Sequence, residues 1–208
     1  MNNDGRPDFV ALISQEHETI VAFINEGNGQ FRKETIYTAP HPAYGSSGIQ
    51  LVDINGDGNL DVLYINGDVL DEPYVIKPYQ GVQWLENKGT FPFVHHPVGQ
   101  LYGAMAGVAA DFTGKGKPDI VAVSFLPEDW FPQRAEANSA SIVYFEQTGS
   151  GQFLRRPLEM LTGDHATCAA GAWDGDGHVH LVTGTMLLSE KHSPTSAVTL
   201  WKNLGPAK

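Results

Sequence analysis

A nine-residue acidic loop that recurs along the chain constrains the fold more than any other feature. Its fullest copy reads Asp53-Ile54-Asn55-Gly56-Asp57-Gly58-Asn59-Leu60-Asp61, and the apolar run Val62-Leu63-Tyr64-Ile65 follows at once. Side-chain oxygens fall at loop positions 1, 3, 5 and 9 (Asp53, Asn55, Asp57, Asp61), with Asn59 placed to offer its carbonyl. Carboxylates ~4 Å apart repel by about 4 kcal/mol per pair at an effective dielectric of about 20. A hard divalent cation removes that cost, and Ca²⁺ takes 6–8 oxygens in a loose geometry. Gly58 supplies a turn that a residue with a Cβ would resist. The loop is shorter than an EF-hand loop and ends without Glu, so that motif is the wrong reading.

Weaker copies set the architecture. Asn2-Asn3-Asp4-Gly5-Arg6-Pro7-Asp8 lacks only the first position. Asp111-Phe112-Thr113-Gly114-Lys115-Gly116-Lys117-Pro118-Asp119 is a third copy, and Asp174-Gly175-Asp176-Gly177-His178-Val179-His180 a fourth. Counted at the fifth position (Asp4, Asp57, Lys115, Asp176), they lie 53, 58 and 61 residues apart. A period of that length with strand-like flanks points to propeller blades or another repeat array.

Each repeat reads as a series of short strands bounded by Gly, Pro and Asn clusters, an all-β pattern. The third strands align as Ala22-Phe23, Trp84-Leu85, Tyr144-Phe145 and Leu200-Trp201. Asn25, Asn87, Gln147 and Asn203 follow two residues on, and Gly27, Gly89, Gly149 and Gly205 two after that. Recurrence in every repeat assigns these aromatics to packing between neighbouring sheets. The expected fold is a β-propeller of about four blades (1–40, 41–98, 99–160, 161–208), the first lacking its first strand and the last its fourth.

Composition removes other classes. The 23 glycines and 13 prolines in 208 residues suit a turn-rich β protein. A net charge of −11 argues against a nucleic-acid binder, and no stretch approaches the ~18 apolar residues of a membrane span. Cys168 is the single cysteine, so no internal disulfide is available. It lies in a run of small residues, which reads as a buried inert thiol. No signal peptide is visible. Met1 falls inside a repeat motif, so the natural start is expected upstream.

The acidic loops, the apolar strands after them and the Asn-x-Gly hairpins together resemble the FG-GAP/VCBS repeat family, over nearly the whole chain. The resemblance implies propeller blades, Ca²⁺ in the loop between a blade's first and second strands, and an extracellular or periplasmic location. Carried over residue by residue, Asp53, Asn55, Asp57, Asn59 and Asp61 form a complete ligand set, while Asn2, Asp4 and Asp8 form one short of its first ligand. Lys115 replaces the fifth-position acid in the third loop, and its ammonium is expected to neutralise Asp111 and Asp119 without metal. In the fourth, Ala172 and His180 stand where carboxylates belong, leaving Asp174 and Asp176 as an incomplete set. An open arc of blades exposes sheet edges. A fragment of a larger ring is the favoured resolution, ahead of a homodimer that closes the ring or a strained four-bladed monomer.

The face opposite the acidic loops carries long insertions at 66–80, 126–134 and 187–196, and rigid scaffolds concentrate binding residues in such loops. Asp68, Asp71, Tyr74, Lys77, Tyr79, Trp130, Phe131, Arg134 and His165 are its candidate ligand-binding residues. The leading expectation is a Ca²⁺-stabilised module, part of a larger exported protein, that binds a carbohydrate or a protein. A polysaccharide lyase or hydrolase using Asp68, Asp71, Lys77 or His165 is one alternative, and a structural spacer without a ligand is another.

Overall fold

A computed structural model describes residues 1–70, 74–186 and 196–205. It holds fourteen strands in four antiparallel sheets, and in each sheet only strands adjacent in sequence pair. Sheet 1 comprises β1 (Phe9–Ile13), β2 (Thr19–Gly27) and β3 (Gln30–Thr38). Sheet 2 comprises β4 (Ser46–Val52), β5 (Asp61–Asn66), β6 (Gly81–Glu86) and β7 (Val94–Gln100). Sheet 3 holds β8 (Ala104–Ala110), β9 (Asp119–Ser124), β10 (Ala140–Gly149) and β11 (Gln152–Met160), and sheet 4 holds β12 (His165–Gly171), β13 (His180–Thr185) and β14 (Val198–Trp201). The only helical turns among the described residues are two short 3₁₀ segments, Gln15–His17 and Pro132–Arg134.

Burial follows from where each sheet stands in the series. In β2, Ile20, Ala22 and Ile24 are buried while their neighbours are partly exposed, the period-2 pattern of a sheet with one covered face. Every residue of β5, β6 and β9 is buried, because sheets 2 and 3 are covered on both sides. Three apolar layers result. Ile20, Ile24 and Ile36 meet Tyr64 and Leu85 between sheets 1 and 2. Leu63, Ile65 and Trp84 meet Ile120, Val143 and Phe145 between sheets 2 and 3. Val121, Val123 and Ile142 meet Leu181 between sheets 3 and 4. Each fully buried large side chain contributes about 1.5–3 kcal/mol.

Close approach sets the spacing of sheets 2 and 3. A Cβ at Gly151 would lie 2.1 Å from the Trp84 ring, and one at Gly67 would lie 2.1 Å from the Ala104 backbone nitrogen. The aligned third-strand aromatics are core in the middle sheets, where Trp84 and Phe145 are 5% and 0% exposed. Leu200 departs from that expectation at 65% exposed. It lies on the outward face of sheet 4, as exposed Phe9 and Phe31 do on sheet 1. Cys168 lies within the layer between sheets 3 and 4, and burial pushes its thiol up to about 12.

Candidate functional site

The four acidic loops share one backbone. Positions 4 and 6 are left-handed in every copy: Asn3 and Gly5, Gly56 and Gly58, Gly114 and Gly116, Gly175 and Gly177. The first-position acid then accepts the N–H groups that the turn gathers. Asp53 Oδ1 accepts from Gly56 (2.8 Å) and Asp57 (3.2 Å), and Oδ2 from Gly58 (2.9 Å). Asp111 does the same with Lys115 (3.0 Å) and Gly116 (2.8 Å). The fifth position accepts from the seventh: Asp4 from Arg6 at 2.9 Å, Asp57 from Asn59 at 2.8 Å, Asp176 from His178 at 2.9 Å. That bond holds the Asp57 carboxyl below its ordinary value.

The ninth position is a latch on the third strand. Asp8, Asp61 and Asp119 each use Oδ1 to accept the N–H of Asn25, Asn87 or Gln147, all at 2.8 Å. His180 does so with Nδ1, 3.0 Å from the Asn203 nitrogen. Asp61 is fully buried, its second oxygen accepts the Ile54 N–H at 3.1 Å, and burial raises its carboxyl. In the third loop the matching Phe112 N–H goes to the Ala110 carbonyl, and Asp119 Oδ2 is buried without a hydrogen-bond partner.

The recurring amide ties neighbouring sheets together. Asn87 donates to the carbonyls of Leu60 (3.1 Å) and Met1 (3.4 Å). Gln147 donates to Pro118 (3.1 Å) and Ile54 (2.9 Å), and Asn203 to Val179 (3.1 Å) and Phe112 (2.7 Å). Each therefore grips position 8 of its own loop and position 2 of the loop before it. Asn25, Asn87 and Asn203 also accept from the glycine two residues on, at 2.9–3.0 Å. Gln147 is one methylene longer, and its Oε1 is buried without a partner.

Charge separates the loops. Asp4 pairs with Arg6 of the same loop at 2.7 Å. Asp174 and Asp176 face Lys202 at 2.7 and 3.3 Å and His180 Nε2 at 2.9 and 3.2 Å. Lys115 does not neutralise Asp111 and Asp119 as expected. Its ammonium lies 3.6 Å from Glu146 on β10. Around Asp53, Asp57 and Asp61, no ammonium or guanidinium lies within ion-pair distance among the described residues. Asn55 Nδ2 sits between Asp57 Oδ2 (3.2 Å) and Glu86 Oε1 (3.1 Å), and the charge of nearby Lys88 helps to lower the Asp57 carboxyl. Burial alone would raise the Glu86 carboxyl, but His96 at 2.9 Å and Lys88 at 3.2 Å outweigh it and hold the group below its usual value.

By donor chemistry the 53–61 loop suits a hard cation: three carboxylates, two amides and no internal counter-charge. Each carboxylate has about four lone-pair sites, so its N–H bonds leave room for a metal. Acid and imidazole atoms converge more tightly elsewhere. Among the described residues, only Asp174, Asp176 and His180 bring three such atoms within 4.8 Å of one another. That trio is already supplied with a cationic donor, Lys202.

The insertion face is folded inward. Tyr74 stacks on Trp130 at 4.6 Å and meets Phe131 edge-on at 6.2 Å, over Val69 and Leu126. Phe131 is fully buried and His165 is 4% exposed against Glu159 at 2.7 Å, so neither offers a ligand any surface. Arg134 donates to the Leu126 (2.7 Å) and Thr162 (2.9 Å) carbonyls and reaches Glu128 at 3.2 Å. Lys77 and the Tyr79 hydroxyl both donate to the Ala43 carbonyl at 2.9 Å. Asp68 caps the Leu70 N–H at 2.9 Å, and Asp71 lies outside the described residues. Sequence reasoning missed Glu86, Glu146 and Lys202. All three directly precede the recurring amide, and a charged residue at that place in three repeats was the available signal.

Fold and loops together define an all-β repeat protein in which Gly-rich acidic turns are latched to the third strand of each sheet. Residues 1–64, spanning the first loop, sheet 1 and the second loop as far as β5, match the family model of the FG-GAP-like repeat. A comparison with curated proteins gives no match.

Proposed function

We propose that the chain is a β-propeller-type binding module, its four sheets acting as blades over 1–40, 41–98, 99–160 and 161–208, stabilised by Ca²⁺ in the 53–61 loop. The observation that carries the metal is the donor set there: Asp53, Asp57 and Asp61 make no direct ion pair among the described residues, and Asp57 meets a fourth acid, Glu86, across the Asn55 amide, with Lys88 set on Glu86 at 3.2 Å, whereas the loops at 4–8 and 174–180 hold Arg6 and Lys202 directly. Bound there, the ion would draw on Asp53, Asn55, Asp57, Asp61 and the Asn59 carbonyl and would tie β4 to β5. The first loop, with Asp4 on Arg6, is the weaker claimant.

FG-GAP repeats are typical of extracellular proteins, which supports an exported, calcium-rich setting. No helix among the described residues is long and apolar enough to cross a membrane. Binding of a carbohydrate or protein is favoured over catalysis because Lys77 and His165, two of the acid–base candidates, are committed to internal contacts.

Calorimetric titration with Ca²⁺ tests the metal. A single site with Kd on the order of 10⁻⁴–10⁻³ M is expected, the range of extracellular modules, and Asp57→Ala should remove it. An unchanged titration in that variant refutes the assignment. A glycan array read with and without chelator tests the ligand, and signal that ignores chelation would detach binding from the metal.

A further inference from the structure

The two middle sheets each have a back face, turned to the sheet before, and a front face, turned to the sheet after. Just past the ninth loop position, the first and third residues look back and the second and fourth look forward. Val62 and Tyr64 pack toward sheet 1, Leu63 and Ile65 toward sheet 3. Ile120 and Ala122 pack toward sheet 2, Val121 and Val123 toward sheet 4. The third strands agree: Leu85 and Phe145 look back, Trp84 and Tyr144 forward. By the same alternation the uncovered face of sheet 1 is a back face, with Phe9 opposite Phe23 and Ala11 opposite Val21. That of sheet 4 is a front face, with Val182 opposite Leu200 and Gly184 opposite Val198. The chain therefore ends in the two opposite halves of a contact that it already makes three times.

These halves differ in shape and in hydrogen bonding. On sheet 1, Phe9 stacks on Phe23 at 4.4 Å and meets Phe31 edge-on at 5.3 Å, and Phe9 and Phe31 stay exposed. A cluster of exposed rings of this kind marks an interaction surface. On sheet 4, small Thr167 and Ala169 lie exposed beside the exposed Val198 and Leu200. Between sheets, Asn87, Gln147 and Asn203 each donate to position 2 of the loop before. Asn25 Nδ2 donates to the Pro7 carbonyl at 3.1 Å and, among the described residues, reaches no second carbonyl. Position 2 of the fourth loop is Trp173, 45% exposed, and its carbonyl receives no side-chain amide among the described residues.

We propose that the front face of sheet 4 docks on the back face of sheet 1 in a second copy of this chain. Two copies about a two-fold axis make that contact twice and close on each other. Asn25 then donates its second N–H to the carbonyl of Trp173 of the partner subunit, as its three counterparts do within the chain. Pairing sheet 1 with sheet 1 would set donor against donor and leave the Trp173 carbonyls uncovered, so the contact runs from sheet 4 to sheet 1. The proposal goes beyond the calcium reading and makes no use of it.

Sedimentation velocity over a concentration series, in chelator so that no metal enters, tests it. The unmodified protein should sediment as a dimer. Phe9→Glu and Leu200→Glu change exposed side chains on the two faces, and far-UV circular dichroism checks that each variant keeps its sheets. Each alone should be monomeric, because each spoils both contacts of the pair. Mixed, they should form a one-to-one dimer through the contact that neither change touches. A monomeric unmodified protein overturns the proposal whatever the variants do. Dimerisation of either variant alone, or a mixture that stays monomeric, overturns it as well.

Discussion

The loops at 53–61 and 174–180 have the same turn geometry and opposite electrostatics. Both carry left-handed glycines at positions 4 and 6, and both hand their ninth residue to the third strand. One keeps three carboxylates with no direct ion pair among the described residues, Lys88 being set on the neighbouring Glu86 instead. The other keeps two, each held by an ammonium and an imidazole, and Lys202 with His180 keeps the Asp174 carboxyl well below the usual carboxylate range. The difference teaches that one backbone shape in these repeats carries two different charge arrangements. Glycine placement and N–H capture build the turn; the side chains then determine what neutralises it.

The comparison can be broken most forcefully at the latch. Asp61→Ala strands the N–H groups of Ile54 and Asn87 in a buried place, and should cost about 2–4 kcal/mol in urea unfolding. Because the latch belongs to the fold, that loss should persist in saturating Ca²⁺. Full recovery by the ion would mean Asp61 acts only as a ligand. A smaller effect separates the loops directly. Ca²⁺ at a hundred times Kd stabilises by about 2.7 kcal/mol, a rise of roughly 5–10 °C for a chain of this size. Asp57→Ala should erase that rise and Asp176→Ala should leave it intact.

The smallest effect concerns acid. Glu86 titrates below its ordinary 4.5 in the folded state, so the stability it contributes is complete above that pH and is lost as pH falls through the lower folded value. Glu86→Gln should flatten the melting-temperature profile in that window. Asp174 is held lower still, so Asp174→Asn should alter the profile only at more acidic pH. Coincident windows would show that the two loops are not electrostatically distinct.

Much of this molecule was legible before any coordinates. The 53–61 residue spacing, the apolar runs and the Asn-x-Gly hairpins pointed to the all-β class, because such local signals survive folding. The outer strand of sheet 2 starts only at Val94, because the Phe93 N–H bonds the Ile36 carbonyl of sheet 1 instead of its own ladder, a contact that sequence does not reveal. Partner choice was the larger gap. Lys115 looked like a counter-ion for Asp111, yet a strand 31 residues away presents Glu146 to it. The insertion aromatics looked like a binding strip. Burying Phe131 and stacking Trp130 on Tyr74 recovers apolar area that open loops would leave in water, and sequence gives no measure of that return path.

The hold of the ninth residue on the third strand also bears on how a chain of repeats can diverge. Aspartate performs that duty three times and histidine once, with the same backbone N–H received in each case. Since the acceptor is needed whether or not an ion is present, a duplicated unit keeps its contour while the other acids are exchanged for lysine, asparagine or alanine. On the calcium reading proposed above, ion dependence would be a trait that each unit gains or sheds by itself, without redrawing the architecture of the row.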